Sequence, residues 1–389
     1  MKVLFVLNTT IMGGGNISFI NLVKGLHEKG VKCYIASPNK LVDVSFKESA
    51  GEAIEKYYYA HITSYVHDDV SCYHGLRKLK KIVKYILKKN PISKSYSSYK
   101  ELKDMEDIVA EVKPDIIHTN VGVLQAGYRV AKKLGIPHIW HLREYQTKDF
   151  YWKIEPSYEG FINKLHDSYV IAITRDILRY FHLGNDFSAR CIYNGCLSVT
   201  DSYLDLNKEN YFLCCSRISP EKGHKEVVKA FAIFYKKHPN YRLVIAGFGD
   251  PQYIQELKDD ADRYGCLKAV DFIGFQKDVR PFMRKARALI VASRFEGFGR
   301  MTAEAAISGC LVIGHNTGGT KEILDITGGF PYMGKAESLA KAMIQAADLD
   351  KNAYQKMAEI AQKQAVQFFS NESNIRNVYS FYREILSDK

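Results

Sequence analysis

Residues 288–305 read ALIVASRFEGFGRMTAEA, and this stretch decides the fold. Ala288–Ala292 is a short apolar run of the kind that fills a strand buried on both faces. Gly297 and Gly299 then interrupt the chain, and an alanine-rich helix is expected to start near Gly299 or Arg300. A buried strand, a glycine loop and a helix in direct succession make half of a parallel βαβ unit.

The same rhythm continues in both directions. Tyr211–Ser216, Arg242–Ala246 and Val270–Phe275 read as strands before it, and Leu311–Gly314 as the last strand after it. Upstream, strands at Val3–Leu7, Val31–Ala36, Pro114–His118, Pro137–His141, Tyr169–Thr174 and Ala189–Tyr193 alternate with helices near Ser18–Lys29, Glu101–Val112 and Leu124–Leu134. The expected fold class is α/β, with two doubly wound parallel sheets over residues 1–196 and 197–367. Leu197–Asn210 has little periodicity and is expected to link them, and Ala353–Leu386 is helical by pattern. Such sheets bind ligands at the carboxyl ends of their strands, so function should lie in the loops there, beside a cleft between the domains.

Composition narrows the class. The chain has 389 residues, 46% hydrophobic and 25% charged, which excludes a wholly disordered or collagen-like chain. No apolar run approaches the roughly 18 residues of a membrane span. A single Lys2 before the short run Val3–Leu7 does not make a secretory signal, so a cytoplasmic location is expected. The eight cysteines form no C-x-x-C, so neither a disulfide framework nor a zinc site is expected. The only D-x-D, Asp260–Ala261–Asp262, falls inside a helical pattern with its two aspartates on different faces, so no metal site is expected.

The net charge is +12, and nine of its positive residues lie in Val70–Lys100, which has no acid. Leu76, Leu79, Ile82, Val83, Ile86 and Leu87 recur there at helical spacing, giving an apolar stripe on a cationic helix. Two readings stay open. Lys78, Lys81, Lys84 and Lys88 can face an anionic membrane on its inner side, or the stripe can pack on the domain core with the lysines solvated. Nucleic acid is not expected, because no reader motif accompanies the charge.

Four loops carry chemistry. Ile11–Asn16 places three glycines between a strand and a helix, where backbone can approach an anion. Ser18 occupies the third glycine position of G-x-G-x-x-G and the second strand ends without an acid, which weighs against a nicotinamide dinucleotide. Arg217 and Lys222 follow a strand and can converge on one polyanion. Glu296 lies in a loop, and Glu304 a turn inside the next helix, where a carboxylate can accept from a diol. Asn316–Thr320 is a further glycine loop before a helix. In the first half, His118 and His141 both end strands; His118 reads best as structural, whereas His141, with Arg143 and Glu144, brings a base, a cation and an acid together.

Arg217–His224, Glu296–Ala305 with its E-x7-E pair and intervening Phe–Gly, and Asn316–Ile323, preceded by Gly13–Gly15, resemble the retaining GT-B glycosyltransferases of family GT4. The resemblance implies two Rossmann-like domains, an N-terminal acceptor side and a C-terminal nucleotide-sugar side. It also implies a C-terminal segment (about 368–389) that returns to the first domain. By position, Arg217 and Lys222 would bind the donor diphosphate, Glu304 the ribose, and Glu296 the donor sugar or its phosphate. Phe298, Gly299, Arg300 and Met301 would cap sugar and phosphate. Gly247, Ile273 and Phe275 would lie along the donor, the latter two beside the base. Gly14 and Gly15 would lie near the phosphates, and His141 would meet the donor sugar. Asn194–Gly195 matches the pair that ends the first domain. Gly297 and Arg300 depart from the family pattern, which commonly has proline and an apolar residue there.

The expected reaction is transfer of a sugar from a nucleotide diphosphate, a UDP-sugar for preference, to a hydroxyl acceptor with retention (EC 2.4). His141, Glu296, Arg217 and Lys222 would be the catalytic set, with no cofactor and no metal. The acceptor would be a sugar or a lipid-linked molecule of surface polysaccharide or glycolipid synthesis, beside Arg143 and Glu144. The alternatives are a sugar-nucleotide epimerase or phosphorylase on a similar frame, or a non-catalytic protein that binds membrane or nucleic acid through the basic helix.

Overall fold

The computed structural model describes residues 1–68, 91–150 and 152–387. They divide into two compact units, Met1–Gly195 with Asn374–Lys389, and Cys196–Ser373. Lys78, Lys81, Lys84 and Lys88 of the basic segment lie outside the described residues.

The first unit contains β1 (Lys2–Val6), β2 (Lys32–Ser37), β3 (Lys56–Tyr59), β4 (Val66–Asp68), β5 (Ile116–Thr119), β6 (His138–Leu142), β7 (Trp152–Ile154), β8 (Tyr169–Ala172) and β9 (Ala189–Cys191). Seven of these form one sheet in the order β3-β2-β1-β5-β6-β8-β9, paired in parallel throughout. β4 and β7 form a small antiparallel pair of their own. The apolar runs of β1, β5, β6 and β8 are buried because helices cover both faces of such a sheet. Neither β3 nor the β4–β7 pair is legible as an apolar run, since Lys56–Tyr59 is polar and sits at the sheet edge.

The helix Asn371–Ser387 completes this unit's core. Val378, Phe381, Tyr382 and Ile385 join Phe5, Phe19, Phe46 and Ile139 in one buried cluster. Each such side chain contributes about 1.5–3 kcal/mol on burial. A β-carbon at Gly25 in helix Gly14–Glu28 would fall 2.1 Å from Ile375 Cδ1, so the isoleucine side chain packs directly over the glycine and a larger residue would have to displace it.

The second unit holds β10 (Tyr211–Cys215), β11 (Arg242–Ala246), β12 (Val270–Gly274), β13 (Ala288–Val291), β14 (Val312–His315) and β15 (Phe330–Tyr332), in the parallel order β12-β11-β10-β13-β14-β15. β15 corrects the expectation that β14 is the last strand: its three residues, Phe-Pro-Tyr, are too few for a periodic signal and sit on an edge that tolerates proline.

Three further boundaries differ from the sequence reading. The first helix begins at Gly14, so Gly14 and Gly15 lie in its first turn and not before it. The helix expected from Glu101 starts at Pro91; Glu101 is instead an internal anchor, fully buried, accepting from Thr63 N, Tyr65 OH and Arg129 Nη1. The C-terminal helical run breaks at Ser370, where extended backbone pairs with Leu197 and separates Lys351–Phe369 from Asn371–Ser387. Leu197–Asn210 is no free linker: Asp201 pairs with Arg280 at 2.8 Å, and Lys208 Nζ donates to the carbonyls of Arg284 and Gly309.

Candidate active site

In the second unit the loops after β10, β11 and β13 lock together through glycine. A β-carbon at Gly247 would fall 1.9 Å from Ser216 O, and one at Gly223 would fall 2.3 Å from Ala292 O. Ile218 N donates to Phe248 O at 2.7 Å, and Arg294 N to Glu221 O at 3.1 Å. Side chains carried on these loops are therefore held on a stiff backbone frame.

Lys222 and Glu296 are brought together on that frame. Lys222 Nζ lies 2.6 Å from Glu296 Oε1, with both side chains about a quarter exposed (24% and 23%). Arg217 stands apart: it is exposed and pairs with Glu221 four residues on.

Gly299 adopts φ 90°, which favours glycine, and starts helix Arg300–Ile307 with no side-chain cap. An uncapped helix N-terminus presents positive potential to an anion. Gly319 N donates to Glu296 O at 2.8 Å, and a β-carbon at Gly319 would fall 2.1 Å from Phe298 O. The two glycine loops thus pack backbone to backbone. Thr302 and Thr320, both buried, keep hydroxyls with no hydrogen-bond partner among the described residues, beside Gly299.

Glu304 is buried and bonded to Arg300, Nε to Oε1 at 2.5 Å; Arg300 Nη2 also donates to Cys196 O at 2.9 Å. Burial pushes the Glu304 carboxyl above its ordinary range, and Arg300 pulls it back. Phe298 packs inward on Phe369 with ring centroids 5.8 Å apart, and Met301 lies against the core. Ile273 also packs on the core, whereas Phe275 is exposed with Phe248 at its edge, centroids 6.2 Å apart.

In the first unit, Gly13 and Gly15 contrast with these glycines. Gly13 is extended (φ −173°), and a β-carbon on either residue would meet nothing within 4 Å. Neither backbone conformation nor packing requires glycine at either position.

His141 is the penultimate residue of β6, one short of the strand end expected for it, and is wholly buried. Its Nδ1 lies 3.1 Å from His118 Nε2 and 3.5 Å from Arg143 Nη2. Its Nε2 is buried and has no hydrogen-bond partner among the described residues, an arrangement that costs about 1–3 kcal/mol. His118 Nδ1 lies 2.5 Å from Tyr382 OH. Arg143 donates to Asn120 Oδ1 and Asn194 Oδ1 at 2.8 and 2.7 Å, and desolvation lowers it to about 10. Glu144 is raised to about 8, by burial first and Asp149 second, while Arg143 and then the Gly122 amide act against them.

The structure therefore joins Lys222 with Glu296, Arg300 with Glu304, and His141 with Arg143. Glu144 acts electrostatically on Arg143, whereas Arg217 and Phe275 stay outside these sets. Asn120, Phe248 and Tyr382 were not legible as site residues, and Thr302 and Thr320 were covered only as members of their glycine-loop segments. Each lies in an ordinary local pattern, and only the tertiary fold shows its partner or its lack of one. Among the described residues, no group of three or more His, Cys, Asp or Glu is placed to hold a metal ion.

Two parallel-sheet units, with charged and glycine-rich loops at their strand carboxyl ends, have the architecture of the GT-B glycosyltransferases, and the comparisons agree on that fold. Residues 201–364 match the family model described as glycosyl transferases group 1. Across 347 residues the chain is 25% identical to an uncharacterized 42.6 kDa protein in the cps region of Klebsiella pneumoniae, covering 80% of this chain and 83% of that one. It is 26% identical over 326 residues to alpha-monoglucosyldiacylglycerol synthase of Streptococcus pneumoniae, covering 74% and 70%. The crystal structure of Anabaena Alr3699/HepE in complex with UDP superposes over 100% of both chains, with TM-score 0.77 and 19% identity.

Proposed function

We propose that the protein transfers a sugar from a UDP-sugar to a hydroxyl acceptor with retention at the anomeric carbon, as GT4 enzymes do. The observation that carries this reading is the Lys222–Glu296 pair beside the uncapped helix at Gly299. A diphosphate that takes up Lys222 frees Glu296 for the sugar, and the helix N-terminus meets the negative charge as it grows on the leaving group. Glu304, held by Arg300, takes the ribose. Arg217, on an exposed loop, screens the diphosphate from outside. No protein nucleophile is required, since the leaving phosphate can take the acceptor proton.

The first unit supplies the acceptor side and the second the donor side. Gly14 and Gly15 admit the phosphates, His141 meets the donor sugar, and Arg143 and Glu144 border the acceptor. The UDP complex of Alr3699/HepE supports the choice of nucleotide, and the Streptococcus relative, named for making a glycolipid, supports a lipid-linked acceptor. Tyr96 and Tyr99, exposed on one face of helix Pro91–Val112 next to the basic segment, support contact with an anionic membrane from the cytoplasmic side. No helix among the described residues is long and apolar enough to cross a membrane.

The test is UDP release from a panel of UDP-sugars with diacylglycerol or polyprenyl-linked acceptors in anionic vesicles. Proton NMR of the product then reads the anomeric configuration. Release with an acceptor and an unchanged anomer are expected; no release from any nucleotide sugar overturns the reading.

A further inference from the structure

Three side chains of the first unit, Arg143, His118 and Tyr382, decide where protons sit around His141. Arg143 can only donate, and asparagine carbonyls hold its guanidinium in place. Its Nη2 faces His141 Nδ1, so that nitrogen must be an acceptor. His118 Nε2 faces the same atom at 3.1 Å and must donate to it. A neutral His118 with its proton on Nε2 has a bare Nδ1, which then accepts from Tyr382 OH at 2.5 Å. The opposite order would set an N–H of His141 against an N–H of Arg143.

Burial supports the neutral forms, since it pushes both imidazoles well below their ordinary range and the phenol well above its own. All three rings are enclosed, so water does not compete for these bonds.

We propose that Tyr382 and His118 are positioning residues whose hydrogen bonds fix His141 in the Nε2–H tautomer, which offers that buried N–H to an oxygen of the donor sugar. This deepens the proposed function and rests on it for the identity of the sugar oxygen. The tautomer itself does not depend on it. The relay starts on helix Asn371–Ser387, so the last helix of the chain reaches a strand-end histidine through one intermediary.

The experiment is long-range proton–nitrogen NMR of the full chain with nitrogen-15 histidine, at neutral pH and without substrate, with His141→Asn assigning the resonance. Protonated Nε2 and bare Nδ1 on His141 are expected; protonated Nδ1 overturns the proposal. Tyr382→Phe keeps the ring and removes the donor. It is expected to mix the tautomers and lower kcat about tenfold, while KM for the donor stays within about twofold. An unchanged tautomer and an unchanged kcat overturn the relay. Should Tyr382→Phe fail to fold, the unsubstituted spectrum still decides. A chain with Nε2–H on His141 that transfers no sugar would sink the proposed function and leave the relay standing; Nδ1–H with normal transfer would do the reverse.

Discussion

The two units place polar groups at their strand ends in different ways. The second unit uses ion pairs, Lys222 with Glu296 and Arg300 with Glu304. The first uses neutral rings in a hydrogen-bonded chain, Tyr382 to His118 to His141, with Arg143 as its one cation. Their glycines differ in the same sense. Gly247 and Gly319 are pressed against backbone, whereas Gly13 and Gly15 face open space. The lesson concerns charge: under the proposed function, the diphosphate meets a cation that can change partner, and the sugar a fixed neutral donor that does not.

Removing the cation that changes partner should have the largest effect. Lys222→Ala is expected to lower turnover about 100-fold or more, the cost of losing one donor to a developing oxyanion. Arg217→Ala, from an exposed pair, should cost about tenfold or less, measured by UDP release in the same assay. Equal losses would erase the distinction between the held and the exposed cation.

The glycine contrast comes next. Gly319→Ala forces a β-carbon onto Phe298 O and should destabilise the second unit by about 1–3 kcal/mol, read as a lower melting temperature. Gly15→Ala meets nothing in the protein and should leave the melting temperature unchanged while weakening donor binding by isothermal titration. A Gly15 variant that melts early would show that packing, not a ligand, demands that glycine.

The smallest effect concerns pH. Glu144 is raised from 4.5 to about 8 in the folded state, so between those values the folded chain holds a proton that the unfolded chain has released. Its contribution is full below pH 4.5 and is lost as pH rises towards 8. Glu144→Gln should therefore flatten the decline in melting temperature over that window and leave the second unit's transition in place.

The sequence reading and the structure part company for physical reasons. Buried parallel strands such as β1, β10 and β13 announce themselves, because both faces must be apolar. Edge strands β3 and β15 do not, since half of their surroundings is solvent. The break at Ser370 was invisible because its cause is a backbone pairing with Leu197, far away in the chain. Lys222 and Glu296 could be singled out from their loops, but their ion pair could not. Tyr382 reads locally as one more apolar-face residue of an amphipathic helix, and its hydroxyl gains meaning only from His118.

Helix Asn371–Ser387 supplies Val378, Phe381, Tyr382 and Ile385 to a core whose other members come from the first half of the chain. During synthesis, the ribosome must deliver the whole second unit before that core can close. At roughly 5–20 residues per second, Phe5, Phe19 and Ile139 wait many seconds for their last neighbours, so the earlier-made half matures after the later-made one.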